Sequence, residues 1–279
     1  MILVIKLSGK VLEQDKLRAQ LCRQIAQLAQ DDHQLVVVHG GGKQLTDWSK
    51  RLEIPIVQHQ GRRVTDEATL ELATMVFSAI NRDLVAGLVA VGLSPIGISA
   101  FDGRLTSCRK RPPLTMTTTD SSGHPSSKPI DFGLVGEIES INTSVLETFW
   151  ESGWVPVVSC LGADSDGQIL NINADTLAAE LAVGLKAARL ISVSDVEGIY
   201  LDVADASSRI AELSTTETQA LLSEGRLTNG MVPKVQTALK VLQGGVGEVQ
   251  IVSGLKENAL LDALEGRAGT RLKADRLTT

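Results

Sequence analysis

Four polar or glycine-rich segments each follow a short apolar run directly, and they hold residues whose types could do chemistry. They are Lys6-Leu7-Ser8-Gly9, His39 to Gly42, Asn171 to Asp175 and Ser194 to Gly198. In open parallel sheets, ligands bind at the carboxyl ends of the strands. Segments in this position are therefore where a binding site is expected.

The triplet Gly40-Gly41-Gly42 carries no Cβ, so its backbone N–H groups can approach an anion closely. The N-terminus of a following helix would add positive potential. An ordinary tight turn after a strand accounts for the triplet equally well. An esterase oxyanion hole is excluded, because the chain has no G-x-S-x-G nucleophile elbow.

Lys6 follows four apolar residues, Ile2 to Ile5, so it should lie at the carboxyl edge of a sheet. A lysine is costly to bury without a partner, and there it would face either solvent or an anion. Lys234 lies on a predicted helix after Met231-Val232-Pro233, and by itself it indicates no function.

Other chemistries are disfavoured because their motifs are missing. A P-loop is excluded, since G-x-x-x-x-G-K-[ST] is absent. Asp131-Phe132-Gly133 spells a protein-kinase motif by chance, as no H-R-D precedes it. The histidines show no metal-ligand spacing, so no protein metal site is expected. They are His33, His39, His59 and His124.

Composition limits the partners and the compartment. The 279 residues carry 27 Lys and Arg against 33 Asp and Glu, a net charge of −6, which argues against a nucleic-acid partner. No apolar run approaches the roughly 18 residues of a membrane span. Cys22, Cys108 and Cys160 stand far apart, which favours free buried thiols and a cytoplasmic location.

Short β-branched runs alternate with amphipathic helices, which predicts an α/β fold with a mostly parallel sheet. Strands are expected near 2–5, 35–38, 95–98, 134–141, 155–158, 190–193 and 249–252. Helices are expected at 13–30, around Leu45 to Leu52, at 66–90, from near Asn142 onward, from Asn173 or Asp175 to about Leu185, and near 215–224, 231–243 and 256–264. Two lobes are predicted, 1–165 and 166–279, and the proline- and threonine-rich segment 101–133 should form an exposed hairpin or flap.

Six motifs occur in the order seen in the amino acid kinase family, and the resemblance runs from residue 2 to about 272. The motifs are Lys6-Leu7-Ser8-Gly9, His39-Gly40-Gly41-Gly42, Gly61-Arg62-Arg63-Val64-Thr65, Asn171-Ile172-Asn173-Ala174-Asp175, Ser194-Asp195-Val196-Glu197-Gly198 and Gly230-Met231-Val232-Pro233-Lys234-Val235. The family implies an open αβα sandwich whose N-terminal lobe holds an amino acid and whose C-terminal lobe holds ATP.

The resemblance also implies roles by position. Lys6 and Lys234 resemble the lysines that stabilise the transition state, and Asp175 resembles the carboxylate that orients both. The substrate-binding residues would be Gly41, Gly42, Arg63, Asn171 and Asn173. The ATP-binding residues would be Gly9, Asp195, Gly198, Ile199, Tyr200 and Met231. Mg²⁺ would be held mainly by the nucleotide phosphates.

Within the family, the motifs are most similar to those of members that phosphorylate the side-chain carboxylate of N-acetyl-L-glutamate in arginine biosynthesis. The basic flap, with Arg104, Arg109, Lys110 and Arg111, also resembles sister kinases whose aminoadipate or glutamate is attached to a carrier protein. The compact 61–66 element favours free acetylglutamate. A non-catalytic amino-acid-binding module is disfavoured, because both lysines and the aspartate are present.

Assembly is a further expectation from the resemblance. Arginine-inhibited relatives carry an additional N-terminal helix that links dimers into hexamers, whereas here the first strand begins at Ile2. The expectation is a homodimer that is insensitive to arginine and joined through the helix at 66–90.

Overall fold

The computed structural model describes residues 1–59, 62–119, 125–202, 204–227 and 231–275, without the side chains at 116–119 and 125–126. Gly61 and Gly230, the first residues of two motifs, lie outside the described residues. So does the segment 120–124 of the predicted flap.

Strands and helices alternate along the chain as the apolar pattern predicts. The strands are β1 (Ile2–Leu7), β2 (Gln34–His39), β3 (Gln58–His59), β4 (Arg62–Arg63), β5 (Pro95–Ser99), β6 (Thr106–Lys110), β7 (Leu114–Thr119), β8 (Pro125–Ile130), β9 (Gly136–Ile141), β10 (Val155–Ser159), β11 (Leu161–Ala163), β12 (Ile169–Asn171), β13 (Arg189–Ser194), β14 (Ile199–Tyr200), β15 (Arg209–Ile210), β16 (Glu212–Ser214), β17 (Glu248–Ser253) and β18 (Thr270–Lys273). The helices are α1 (Gly9–Leu12), α2 (Asp15–Gln30), α3 (Gly42–Arg51), α4 (Glu67–Val89), α5 (Ser144–Glu151), α6 (Ala174–Gly184), α7 (Thr215–Ser223), α8 (Val232–Gln243) and α9 (Ala259–Leu264).

Eight strands form one central sheet in the order β16-β18-β17-β13-β1-β2-β10-β5. Neighbouring strands run parallel except for β17 and β18, which are antiparallel. Helices α2, α4 and α9 pack together on the sheet, and α6 and α8 form a second layer. The predicted open α/β sandwich with a mostly parallel sheet is confirmed.

The central strand β1 joins the two parts of the chain. It pairs with β2 on one side and with β13 on the other, so that Lys6 lies between Val38 and Ser192. Strands from residues 1–159 occupy one half of the sheet, and those from 189–273 occupy the other. The division into lobes at 165 and 166 stays a prediction, since the sheet is continuous across it.

The predicted boundary region contains a hairpin, because β11 and β12 pair antiparallel within it. Strand β18, Thr-Arg-Leu-Lys, which lies between β16 and β17, was not predicted, because one apolar residue in four gives no strand signal. The flap is confirmed as a hairpin: β7 pairs antiparallel with β8, next to the paired strands β6 and β9.

Helix α4 is the one described helix whose length and mean hydropathy, 1.4, would suffice to cross a membrane. It is instead a helix of the core, which buries Phe77, Leu84 and Leu88 against β5 and β10. Its N-cap is Asp66, whose carboxylate accepts a hydrogen bond from the Thr69 N–H at 2.8 Å. The cysteines Cys22, Cys108 and Cys160 are buried and unpaired, as predicted.

Candidate functional site

Lys6 and Asp175 form the centre of the candidate site. Lys6 lies near the carboxyl end of β1 and is only 6% exposed. Its Nζ lies 2.8 Å from Oδ1 of Asp175, which stands in the first turn of α6. A buried ammonium with a carboxylate at this distance is a charge-assisted pair and avoids the cost of an isolated buried charge.

The electrostatics keep Asp175 ionised. Burial favours the neutral acid and would raise the pKa of Asp175, but the charges of Lys6 and Lys234 and the hydrogen bond from Lys6 lower it below its ordinary value. The N-terminus of α6 further favours a negative charge in its first turn. The carboxylate is therefore a fixed anion between two cations.

Lys234 approaches the same carboxylate from the other half of the sheet. It lies in the first turn of α8, and α8 packs against α6. Burial lowers the pKa of Lys234, Asp175 opposes this shift, and the neighbouring charge of Lys6 lowers the pKa further. The structure thus brings together three residues that stand up to 228 positions apart in the sequence.

The three polar residues of the Asn171-Ile172-Asn173-Ala174-Asp175 motif make three different contacts. Asn171 ends β12 and donates from Nδ2 to the Thr65 hydroxyl at 3.1 Å. Asn173 caps α6, because its Oδ1 accepts from the Thr176 N–H at 3.0 Å. Asp175 then follows in the first turn. The Asn173 side chain is thereby occupied in capping, which weakens its predicted contact with substrate.

The glycine segments after β1 and β2 touch each other. A Cβ added to Gly9 would lie 3.3 Å from the Gly41 Cα, and one added to Gly41 would lie 2.6 Å from Ile80 Cδ1. A Cβ at Gly42 would meet no atom within 4 Å. Gly9 and Gly41 are therefore required for close packing, whereas Gly42 borders open space at the start of α3.

Buried polar atoms without hydrogen-bond partners gather beside these glycines. Gln44 donates from Nε2 to the Gly9 carbonyl at 2.7 Å, but its Oε1 has no partner. The Ser8 hydroxyl and Arg63 Nη1 also lack partners in the described part of the chain. Unsatisfied buried polar atoms are uncommon in folded proteins, so their clustering indicates a place for a polar ligand.

Arg63 is the cation of this region. Its Nη2 donates to the Thr46 hydroxyl at 2.5 Å and reaches the Gly42 carbonyl at 3.5 Å, so the guanidinium lies at the N-terminus of α3. Burial lowers the pKa of Arg63. A half-buried guanidinium with a free N–H suits a carboxylate ligand.

The loop that leaves β13 is held by two ion pairs. Asp195 Oδ2 lies 2.7 Å from Lys10 Nζ, and Glu197 Oε1 lies 2.8 Å from Lys256 Nζ. The hydrogen bond from Lys10 lowers the pKa of Asp195. Sequence reasoning missed Lys10, although a lysine directly after the first glycine segment was a visible signal.

Other residues predicted to bind ATP lie deeper in the fold. Ile199 is fully buried, and its N–H donates to the Thr270 hydroxyl at 2.8 Å. Gly198 has φ +150°, and a Cβ there would lie 2.5 Å from that hydroxyl, so packing alone requires this glycine. Met231 is 5% exposed, and Tyr200 is half-buried in β14.

His39 closes β2 through a hydrogen-bond network. Its Nδ1 lies 3.1 Å from the Gly40 carbonyl and its Nε2 lies 3.1 Å from Asn81 Nδ2. Asn81 Nδ2 also donates to the Val157 carbonyl at 2.9 Å. These partners require a neutral ring that donates from Nδ1 and accepts at Nε2. Burial accordingly lowers the pKa of His39 from 6.5 to about 4.

This shift predicts a loss of stability in acid. Between pH 6.5 and about 4 the unfolded state binds a proton at His39, whereas the folded state keeps this ring neutral. The contribution of neutral His39 to the free energy of unfolding is therefore complete above pH 6.5 and falls as the pH falls. We expect the free energy of unfolding, measured with urea, to decline between pH 7 and pH 5 by about 2 kcal/mol more in the native protein than in His39→Gln. An NMR titration of the imidazole is the second measurement. Equal declines, or a pKa near 6.5, would contradict the network.

In the part of the chain that the structure describes, no three His, Cys, Asp or Glu side chains lie close enough to hold a metal ion. The two carboxylates nearest the site, Asp175 and Asp195, are each paired with a lysine.

Comparison with known proteins places the fold and the motifs in a family. The model of the amino acid kinase family matches residues 1–253. An acetylglutamate kinase from Sorangium cellulosum is 42% identical over 92% of this chain and 89% of its own length. The acetylglutamate kinase from Myxococcus xanthus is 39% identical over 96% of this chain and 86% of its own length.

Two solved structures share the fold. The N-acetylglutamate synthase from Neisseria gonorrhoeae, complexed with coenzyme A and N-acetyl-glutamate, superposes with a TM-score of 0.81 at 24% identity, over 99% of this chain and 60% of that chain. Carbamate kinase from Giardia lamblia bound to AMP-PNP superposes with a TM-score of 0.66 at 18% identity, over 98% of each chain. At these identities the likeness shows the fold alone.

Proposed function

The chain belongs to the amino acid kinase family, and we infer that it is a phosphotransferase that uses ATP to phosphorylate the side-chain carboxylate of N-acetyl-L-glutamate. The observation that carries this function is the Lys6–Asp175–Lys234 arrangement at the carboxyl edge of the sheet. It stands beside the glycine segments in a chain 42% identical to an acetylglutamate kinase.

Transfer to a carboxylate needs no general base, because the acceptor is already ionised. Catalysis then consists of holding donor and acceptor in line and stabilising charge on the phosphoryl oxygens. The ammonium groups of Lys6 and Lys234 would supply cations, and the backbone N–H groups of Gly9 and Gly41 would supply hydrogen bonds. Asp175 would hold Lys6 directly and Lys234 through its charge.

The acceptor site would lie between the N-terminus of α3 and β12. Arg63, half-buried and with Nη1 free, would bind a carboxylate of acetylglutamate, and Asn171, which donates to the Thr65 hydroxyl, would help to hold the same substrate. Gly42, where a Cβ would meet open space, would present its N–H to the substrate.

The nucleotide would bind on the other half of the sheet, along the loop after β13 and the first turn of α8. Mg²⁺ would be carried by the phosphates of ATP, because Asp175 is paired with Lys6 and the described residues include no group of three His, Cys, Asp or Glu side chains that could hold a metal ion. The ion would neutralise phosphate charge.

The carrier-linked alternative receives no support from the flap. Three of the four basic side chains named above have acidic neighbours, and two of these pairs are Arg109 with Glu137 at 3.2 Å and Lys110 with Asp131 at 3.8 Å. Arg111 pairs with Glu137 as well, at 3.3 Å. Among the described flap residues, these three cations each face an acidic side chain, which weakens the attraction of the flap for an acidic carrier protein.

An assay of ADP release with acetylglutamate, glutamate and aspartate in parallel tests the function. Release should depend on acetylglutamate, with glutamate and aspartate well below it, because the acetylated substrate is the one the similar kinases are named for. Release with none of the three, or with glutamate alone, would contradict the proposal.

The proposal extends to a cytoplasmic homodimer formed through α4. One side of this helix packs in the core, and its other side leaves Met75 and Val89 more than half exposed. Exposed apolar side chains on one helix fit a two-fold interface between identical copies. Sedimentation at micromolar concentration should give the mass of a dimer, and Met75→Glu should shift it toward the monomer. A monomeric native protein would contradict this assembly.

A further inference from the structure

Lys10 forms an ion pair across the seam between the two halves of the sheet. It lies in α1, directly after Gly9, and its Nζ lies 2.7 Å from Oδ2 of Asp195, 185 residues away. Because β1 and β13 are parallel neighbours, both residues lie just beyond the same edge of the sheet. Lys10 therefore stands where the segments after these two strands meet.

Lys10 also belongs to the charge cluster around the candidate centre. Its charge contributes to the lowered pKa of Lys234, as does that of Lys6. The cluster then holds three lysines against two aspartates, Asp175 and Asp195, which leaves one positive charge. Without Lys10 the cluster would be neutral and would attract a polyanion less strongly.

Lys10 can exchange Asp195 for another anion at little cost in free energy. The side chains are 62% and 39% exposed, and ion pairs that are open to solvent are weak. The long lysine stem allows the ammonium to turn to another anion without movement of the backbone. A polyphosphate beside Asp195 would be repelled by this carboxylate, and the ammonium of Lys10 would offset that repulsion by binding the phosphates.

We propose that Lys10 is a nucleotide-binding residue whose ammonium leaves Asp195 when ATP enters and binds the polyphosphate. The inference rests on the proposed function in taking ATP as the ligand, but it concerns nucleotide binding alone. It adds to Lys6 and Lys234 a third lysine, supplied by the segment after β1.

Calorimetric binding of AMP-PNP with Mg²⁺, and of adenosine, tests the proposal without any acceptor. Lys10→Gln should bind AMP-PNP about tenfold more weakly than the native protein does. It should bind adenosine as tightly, because adenosine has no phosphate for Lys10 to contact. The matched control is Lys256→Gln, which breaks the other ion pair of the same loop, with Glu197 at 2.8 Å. It should leave both affinities unchanged.

The double variant Lys10→Gln/Asp195→Asn distinguishes a direct contact between Lys10 and phosphate from mere neutralisation of the Asp195 charge by Lys10. If Lys10 binds phosphate, the double variant binds AMP-PNP several-fold more weakly than Asp195→Asn alone does. Equal affinities in these two variants would mean that Lys10 merely neutralises Asp195, and would overturn the proposal, as would unchanged AMP-PNP binding in Lys10→Gln. Failure of acetylglutamate as acceptor would leave these binding results standing, so the two conclusions fail separately.

Discussion

Lys6→Ala should lower kcat roughly 10²–10³-fold and change either KM far less. The ammonium of Lys6 is buried and held by Asp175 at 2.8 Å, so it is positioned before the reaction begins. Its charge matters most when negative charge is spread over the transferring phosphoryl group. Steady-state kinetics with ATP and acetylglutamate varied separately give kcat and both KM values.

Asp175→Asn should cause comparable damage through the lysines, because it removes the anion that holds Lys6 and attracts Lys234. The double variant Lys6→Ala/Asp175→Asn should lose much less than the product of the single losses, since residues that act as a unit are not additive. Losses that simply multiply would show that Asp175 does not position Lys6.

Glu180→Gln provides a matched control for these variants. Glu180 lies on α6 and pairs with Lys240 of α8 at 3.0 Å, so it links the two helices that carry Asp175 and Lys234. Its side chain does not belong to the charge cluster. If Glu180→Gln lowered kcat as much as Asp175→Asn does, the effect would come from helix packing.

Arg63→Lys should raise the KM for acetylglutamate and leave the KM for ATP nearly unchanged. Lysine keeps the charge but cannot offer the planar pair of N–H donors that binds a carboxylate at two points. The half-buried position of Arg63, with Nη1 unpartnered, makes the loss large, and we expect about 2–4 kcal/mol of binding free energy.

The neighbouring arginine is the control for this prediction. Arg62→Lys alters an exposed side chain on the same two-residue strand, β4, and should leave both KM values unchanged. A rise in the ATP KM alone for Arg63→Lys would place this residue with the nucleotide, and the acceptor site would have to be sought elsewhere.

The sequence by itself determined the elements that hold the site. Runs such as Leu35 to Val38 are apolar throughout because their strand is covered on both faces, and this pattern predicts a buried parallel strand without further information. Asp66 directly precedes a long apolar helix, a position typical of an N-cap, and the structure contains this cap. Since parallel strands end on one edge, the meeting of the segments after β1, β2 and β13 was predictable, whereas the segment Asn171 to Asp175 follows β12, which lies outside the central sheet.

Only the tertiary structure decided which of those residues meet. Lys6 pairs with Asp175 because α6 packs against β1, and Lys10 pairs with Asp195 because β1 lies beside β13. Neither contact leaves a periodic signal, since each joins residues more than 160 positions apart. Partnerships between distant side chains follow from strand order and helix packing, which a local pattern does not specify. For the same reason Lys10 became a candidate ligand for phosphate only through its contact with Asp195 in the folded chain.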